Sequence, residues 1–245
     1  MCLGANDYNL VSKTITMKTI STLILFFLTI NIYSQKSLSI SAQYGNGTTA
    51  ILNQNAYGHT ELDPLPKSAS NSGILISYSF NENIALQTGF CNLNMGGYWE
   101  GKDGGVETTR DINLKYGQIP INIKYSGKQK FHLYTSLGLG VQFLKSANQL
   151  YTPESNMDIN PVRFDENGDI TNRFNKNSLS AMYAFGFEYK SGIFFCNLGF
   201  NLNYGLNDIN ESDFHIKNKS GVYEASKNGL GFVSLGIGID LFQSK

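Results

Sequence analysis

The chain has 245 residues, and its 19 Lys plus Arg are balanced by 19 Asp plus Glu. A neutral chain without a basic run lacks the electrostatic footprint of a nucleic-acid binder, so no nucleic-acid partner is expected. Charged residues supply 16% of the sequence, below the ~25% of ordinary soluble domains, while 25 Gly and 13% aromatics suit short strands joined by tight turns.

In chain order the first feature is an address. Met17-Lys18, the apolar run Ile20–Ile32 and then Tyr33-Ser34-Gln35 have the layout of a secretory signal. The run of about 13 apolar residues is too short to cross a bilayer as a helix, which takes ~20. Residues 17–34 are therefore read as a cleaved signal peptide, and residues 35–245 as the mature domain. Residues 1–16 are read as an upstream extension from a misassigned start, with Met17 the true start. Cys2 has no apolar segment ahead of it, which argues against a lipid anchor there. No other stretch approaches a transmembrane helix, so membrane insertion would be by strands.

Eight segments then alternate apolar and polar residues, the signature of strands with two different environments. They run over residues 37–44, 74–80, 84–91, 118–125, 131–143, 179–189, 194–204 and 233–241. One face carries Leu38, Ile40, Ala42 and Tyr44; Ile74 and Ile76; Leu86 and Phe90; Ile119, Ile121 and Ile123. Leu137 and Leu139, Phe185 and Phe187, Leu198 and Phe200, and Leu235 and Ile237 continue it. The opposite face is mostly Ser, Gly, Asn and Gln. Those residues are too small and too rarely charged for a solvated surface and suit a confined lumen. The apolar face is then expected to meet lipid, with Tyr44, Tyr125, Tyr189 and Tyr204 at strand ends as interfacial anchors. Pro120 inside the fourth segment lacks a donor. A bulge and a change of phase are expected near Gly117 and Pro120.

The connections alternate in length. Short links are Asn81–Asn83, Ser126–Lys130 and Ser191-Gly192; long ones run roughly Gly45–Ser72, Asn94–Arg110, Ser146–Ser178 and Gly205–Asn228. The expected fold is all-β, an eight-stranded antiparallel up-and-down transmembrane barrel with three short periplasmic turns and four long extracellular loops. With eight strands both termini fall on the side of the short turns. A signal sequence leading into the periplasm puts those turns at the periplasmic rim.

The segments Tyr116–Tyr125 (YGQIPINIKY), Phe131–Leu144 (FHLYTSLGLGVQFL), Ala184–Lys190 (AFGFEYK), Leu202–Ile209 (LNYGLNDI) and the final LGIGIDLF resemble the PorT-like outer-membrane β-barrel proteins of Bacteroidota. The resemblance covers about residues 36–242. It implies an eight-stranded barrel in the cell outer membrane and no shared catalytic residues. The last strand is also similar to the C-terminal signal read by barrel-assembly machinery, through Ser234, Gly236, Ile239 and Leu241. That implies the machinery as a partner during biogenesis, with outer-membrane lipid as the surroundings.

Candidate chemistry is sparse. Lys124, His132, Glu188 and Asp240 all point inward near periplasmic strand ends. Mixed charges in a narrow lumen can pair, and a structural salt-bridged cluster is expected rather than an ion or proton path. His59 and His215 fall in loops, where a solvated surface residue is the default. His132 lies at the wrong end for an enzyme working on outer-leaflet lipid. Asp165-Glu166-Asn167-Gly168-Asp169 lacks the full spacing of a calcium loop and is read as a turn in a protruding hairpin. Asn94–Gly105 is read as a flexible Gly-rich loop, with Trp99 at its tip resting at the lipid interface or touching a ligand. Cys91 and Cys196 are read as isolated small residues in strands rather than a disulfide. No cofactor, metal or catalytic residue is expected. The expected role is a non-enzymatic scaffold presenting loops for surface interaction or for envelope- or secretion-associated assembly, with surface or secretion-system proteins as partners. The competing readings are a lipid-modifying barrel enzyme and a soluble secreted barrel binding an apolar ligand.

Overall fold

The computed structural model describes residues 37–53, 62–103, 105–152, 167–215 and 221–243. The expected upstream extension with Cys2, the signal peptide, His59 and Asp165-Glu166 lie outside the described residues. The strands are β1 (Ser37–Leu52), β2 (Leu62–Leu65), β3 (Lys67–Ser79), β4 (Ile84–Asp103), β5 (Val106–Ser126), β6 (Phe131–Thr152), β7 (Gly168–Asp169), β8 (Asn177–Ser191), β9 (Phe194–Gly205) and β10 (Lys227–Gln243).

Eight of them close a ring in the order β4-β3-β1-β10-β9-β8-β6-β5 and back to β4, with every pairing antiparallel. First and last strands pair over their whole length, from Ser37 opposite Gln243 to Leu52 opposite Lys227. Closure leaves no unpaired edge, the condition for a sheet to sit in hydrocarbon. β2 and β7 are short additions, on β4 and β6 respectively.

The three short turns are built locally. Asn81 Oδ1 accepts from the backbone N–H groups of Asn83, at 2.9 Å, and Ile84, at 2.8 Å, which folds the chain back without help from elsewhere. Lys128 in the next turn pairs with Glu82 at 2.5 Å and ties the two turns together. Gly192 takes φ +63° between β8 and β9, a conformation that favours glycine.

The outward face is apolar all the way round, and Tyr44, Tyr125, Tyr189 and Tyr204 are all exposed on it. At ~3.4 Å per residue and a ~40° tilt, the outward run Phe194–Tyr204 rises ~26 Å, close to the ~25 Å apolar band of a membrane barrel. A soluble barrel would turn this face inward, so the secreted, water-soluble reading fails here.

Above the band the two faces exchange character, and the strands continue. In β4 the inward residues become Leu93, Met95 and Trp99, while Asn92, Asn94 and Glu100 face out. In β5 Ile112, Leu114 and Tyr116 are buried while Asn113 and Lys115 are exposed. Much of the length expected as connection is therefore strand. The second connection shrinks to a tight hairpin between Asp103 and Val106, and β1 and β6 run on to Leu52 and Thr152. Trp99 is not at a loop tip: it is 1% exposed, in the interior. Alternation continues through this stretch, but its sense is inverted because water rather than lipid lies outside.

The expected bulge near Gly117 and Pro120 also moves. Alternation in β5 runs unbroken from Thr108 to Lys124. The ladder to β4 simply skips Ile119 and Pro120, between the pairs Thr88–Ile121 and Cys91–Gln118, so the missing donor costs no register. The extra residue is Lys145 on β6, between the pairs Tyr116–Leu144 and Lys115–Ser146. Buried residues on β6 pass there from Gln142 to Ala147, an even-to-odd switch of phase.

Candidate functional site

The interior is layered from the periplasmic end upward. Parity turns Lys124 on β5, His132 on β6, Glu188 on β8 and Asp240 on β10 inward, and the register, with His132 opposite Glu188, brings them near one another. Lys124 and Glu188 form an ion pair, and His132 Nε2 lies 3.3 Å from Glu188 Oε1. His132 Nδ1 is held 2.7 Å from the Gln129 carbonyl oxygen. Lys190, on the same face as Glu188, completes the cluster. Its Nζ lies 3.6 Å from Glu188 Oε1 and 3.9 Å from Asp240 Oδ2. The structure thus gathers all four expected residues. It adds Lys190, which the even-numbered alternation Ala184-Gly186-Glu188 would have revealed if carried one step further.

The middle layer is a network of neutral amides and hydroxyls. Asn203 Nδ2 donates to Gln118 Oε1 at 3.0 Å, Ser178 Oγ to Gln142 Oε1 at 2.9 Å, and Asn201 Nδ2 to Ser234 Oγ at 2.8 Å. The space left among Gln43, Asn122, Asn197 and their neighbours is about 40 Å³, room for a few waters and no larger solute.

The upper layer is an apolar plug. Leu93, Met95, Trp99, Ile112, Leu114 and Tyr116 from the β4–β5 hairpin pack with Ile170, Phe174, Ile209, Leu230 and Phe232 into one apolar cluster. Arg110 is fully buried beside it, its guanidinium 5.1 Å from the Tyr151 ring centroid. These side chains fill the lumen at this level by packing.

Outside the barrel the fourth connection is pinned at Asp208. Tyr223 Oη donates to Asp208 Oδ2 at 2.6 Å, and the backbone N–H groups of Asn210 and Ser226 each donate to Oδ1 at 3.1 Å. His215 Nε2 lies 3.1 Å from the same carboxylate, and its ring stacks on Tyr223 at 3.8 Å. His215 is thus exposed, as its loop position suggested, and is also a stacked member of the knot. Burial, followed by the neighbouring Asp208 carboxylate, pushes the Tyr223 phenol up to about 12. Asn167 likewise braces the third connection, receiving the Tyr151 N–H at 2.5 Å. Gly168-Asp169 there forms β7 against β6, and the other arm of the expected hairpin lies outside the described residues.

Cys91 is buried and faces inward, whereas Cys196 is exposed on the outer face, so the wall itself separates the two thiols. Of the assembly-signal residues, Ser234 is buried in the lumen and Leu241 is exposed on the lipid face. Among the described residues no group of three or more His, Cys, Asp or Glu gathers where a metal ion would sit.

A closed eight-stranded ring, lipid-facing outside and filled within, defines a transmembrane β-barrel. The chain belongs to the outer membrane protein beta-barrel domain family, whose model matches residues 33–211, and its location is the outer membrane. Among solved structures it is similar to the N-terminal β-barrel domain of Pseudomonas aeruginosa OprF, at 14% identity over 85% of this chain and 100% of that one, with a TM-score of 0.41. It is also similar to Neisserial surface protein A, at 9% identity over 83% and 97%, with a TM-score of 0.47. The attachment invasion locus protein Ail of Yersinia pestis is similar at 13% identity over 84% and 100%, with a TM-score of 0.42. Among curated proteins none matches the chain.

Proposed function

We propose that this outer-membrane barrel is a non-enzymatic, non-conducting scaffold that displays its extracellular extension for surface interaction or for envelope- or secretion-associated assembly. The observation that carries this reading is the plug around Trp99 and Tyr116, which fills the lumen above the membrane and leaves the outer surface as the place for recognition. An eight-stranded ring has an interior just wide enough for side chains, and here side chains of three different kinds occupy it at successive levels.

The PorT-like assignment, with a secretion-accessory role as one form of assembly, is part of the proposal and is supported by the ordered motifs from Tyr116 to Phe242. So are export through a cleaved signal at residues 17–34 and recognition of Ser234, Gly236, Ile239 and Leu241 by the assembly machinery. The charged floor of Lys124, His132, Glu188, Lys190 and Asp240 is proposed as a structural brace across four strands. Against a lipid-modifying enzyme stands the placement of His132, buried at the periplasmic end.

The test is a deletion strain scored for secreted proteins, surface adhesion and lipid composition, beside conductance of the purified barrel in planar bilayers. The expected result is an altered secretion or adhesion profile, an unchanged lipid profile and no stable channel. Steady single-channel conductance, or a lipid species lost on deletion, would overturn it.

A further inference from the structure

Phe90 on β4 and Phe143 on β6 mark the top of the apolar band on one side of the barrel, and both are exposed. The next outward positions are Asn92, Lys115 and Lys145. Lys145 is the bulge residue of β6, and without it the outward row would pass from Phe143 to Ser146. The extra residue sets a second cation beside Lys115 at the polar edge of the band. Its Nζ donates to Asn92 Oδ1 at 2.6 Å and stands 5.0 Å from the centroid of the Phe90 ring. The stem thus rests on the last apolar side chain, with the charge above it.

These two lysines border a depression of about 440 Å³ in the outer wall, shared with Lys67, Asn92, Asn94 and Asn113. No carboxylate lines it among the described residues. The nearest, Asp111, is engaged by Lys67. Lys67 on β3 and Asp111 on β5 flank β4, where Gly96, with φ +151° and an added Cβ falling 1.9 Å from the Ile112 carbonyl oxygen, has no room for a side chain. Among the described residues Lys115 and Lys145 have no acidic partner. Two uncompensated cations at the height where acyl chains give way to headgroups call for a phosphate, and the apolar wall directly below calls for the chains that carry it.

We infer that this depression binds the phosphate-bearing headgroup of an outer-leaflet lipid, through Lys115 and Lys145, with the acyl chains lying on Phe90 and Phe143. The inference rests on the membrane orientation adopted above. The lipid, rather than free phosphate, is the occupant because the cationic site is continuous with the lipid-facing band.

The experiment places the barrel in phosphatidylcholine nanodiscs doped with diphosphoryl lipid A, or with the same lipid stripped of both phosphates, and counts retained lipid by native mass spectrometry. The wild type is expected to retain the phosphorylated form preferentially. K115Q and K145Q should each reduce that preference roughly fivefold, whereas K102Q, which removes a charge at the hairpin tip, should leave it unchanged. Equal retention of both forms, or an undiminished preference in the K115Q/K145Q double variant, would overturn the site. Displacement of the lipid by millimolar inorganic phosphate would assign a free-phosphate site and overturn the lipid. A chain that fails to enter nanodiscs at all would overturn the membrane orientation and the site with it.

Discussion

Tyr116 on β5 and Asn228 on β10 stand on opposite sides of the eight-stranded ring, and Asn228 Nδ2 donates to Tyr116 Oη at 3.3 Å. A contact between diametrically opposed strands means that the wall has closed on its own side chains at that level. Tyr116 is fully buried. Y116F is expected to cost about 1–3 kcal/mol by leaving a buried donor without this acceptor, while conductance stays absent because the rings of Tyr116 and Trp99 still fill the lumen. Urea unfolding in micelles and bilayer recordings measure the two effects separately.

Trp99 is the largest fully buried side chain, and the Gly97 position lies against its ring. W99A is expected to destabilise the extracellular extension by about 3–5 kcal/mol. A side chain at Gly97 would press on the same ring, an added Cβ falling 2.3 Å from Trp99 Cη2, so G97A should also destabilise. A shift in urea midpoint, with β4–β5 amides exchanging first, is the readout. An unchanged midpoint for W99A would refute the plug.

Glu188 accepts Lys124 and faces His132 and Lys190 in the charged floor. E188A leaves the half-buried Lys124 without its counter-charge inside the lumen and is expected to cost up to about 3 kcal/mol. The double variant K124M/E188L should recover most of that loss, since removing both partners leaves no orphan. The temperature at which the folded form disappears from an unboiled gel compares the three chains. If the double variant proves as unstable as E188A, the pair is not the organising contact of the floor.

The Asp208 knot carries a pH signature. Tyr223 keeps its proton up to about 12 in the folded chain, against an ordinary phenol value of 10. The folded state then binds more protons than the unfolded state between those values. Its stabilising effect is complete below pH 10 and is lost as pH rises toward 12. Protease nicking of the fourth connection should accelerate over that window in the wild type. In Y223F, where no phenol titrates, the acceleration should vanish.

Intact-mass measurement of the chain recovered from outer membranes should find Gln35 as the first residue. A mature chain that retains Met17 would remove the cleaved signal from the account.

The lipid-facing half of this protein was legible in the sequence because lipid imposes one rule on every strand. Ile119, Ile121 and Ile123, or Leu198, Phe200 and Leu202, read outward at period two, and the structure places them there. The inward charges followed from the same parity, and Lys190 was missed only because the count stopped at Glu188. The extension above the membrane was not legible in the same way. Leu93, Met95, Trp99, Ile112 and Leu114 alternate just as well, but their apolar side faces in. Once Gly96-Gly97 interrupts the row, nothing local says whether lipid or water lies outside.

Sequence alone thus determined the period, the faces within the bilayer and the sides on which the connections emerge. Each of these is a property of one strand and its solvent. Only the tertiary structure decided that the lumen is plugged, that Tyr116 meets Asn228, that His215 stacks on Tyr223 and that Lys145 is the bulge. The plug and the Tyr116–Asn228 contact depend on ring closure, which brings together residues as far apart in the chain as Gln118 and Asn203. The stack and the bulge depend on how neighbouring segments pack. Register and bulge position are set by packing across the ring, and no single strand contains that information.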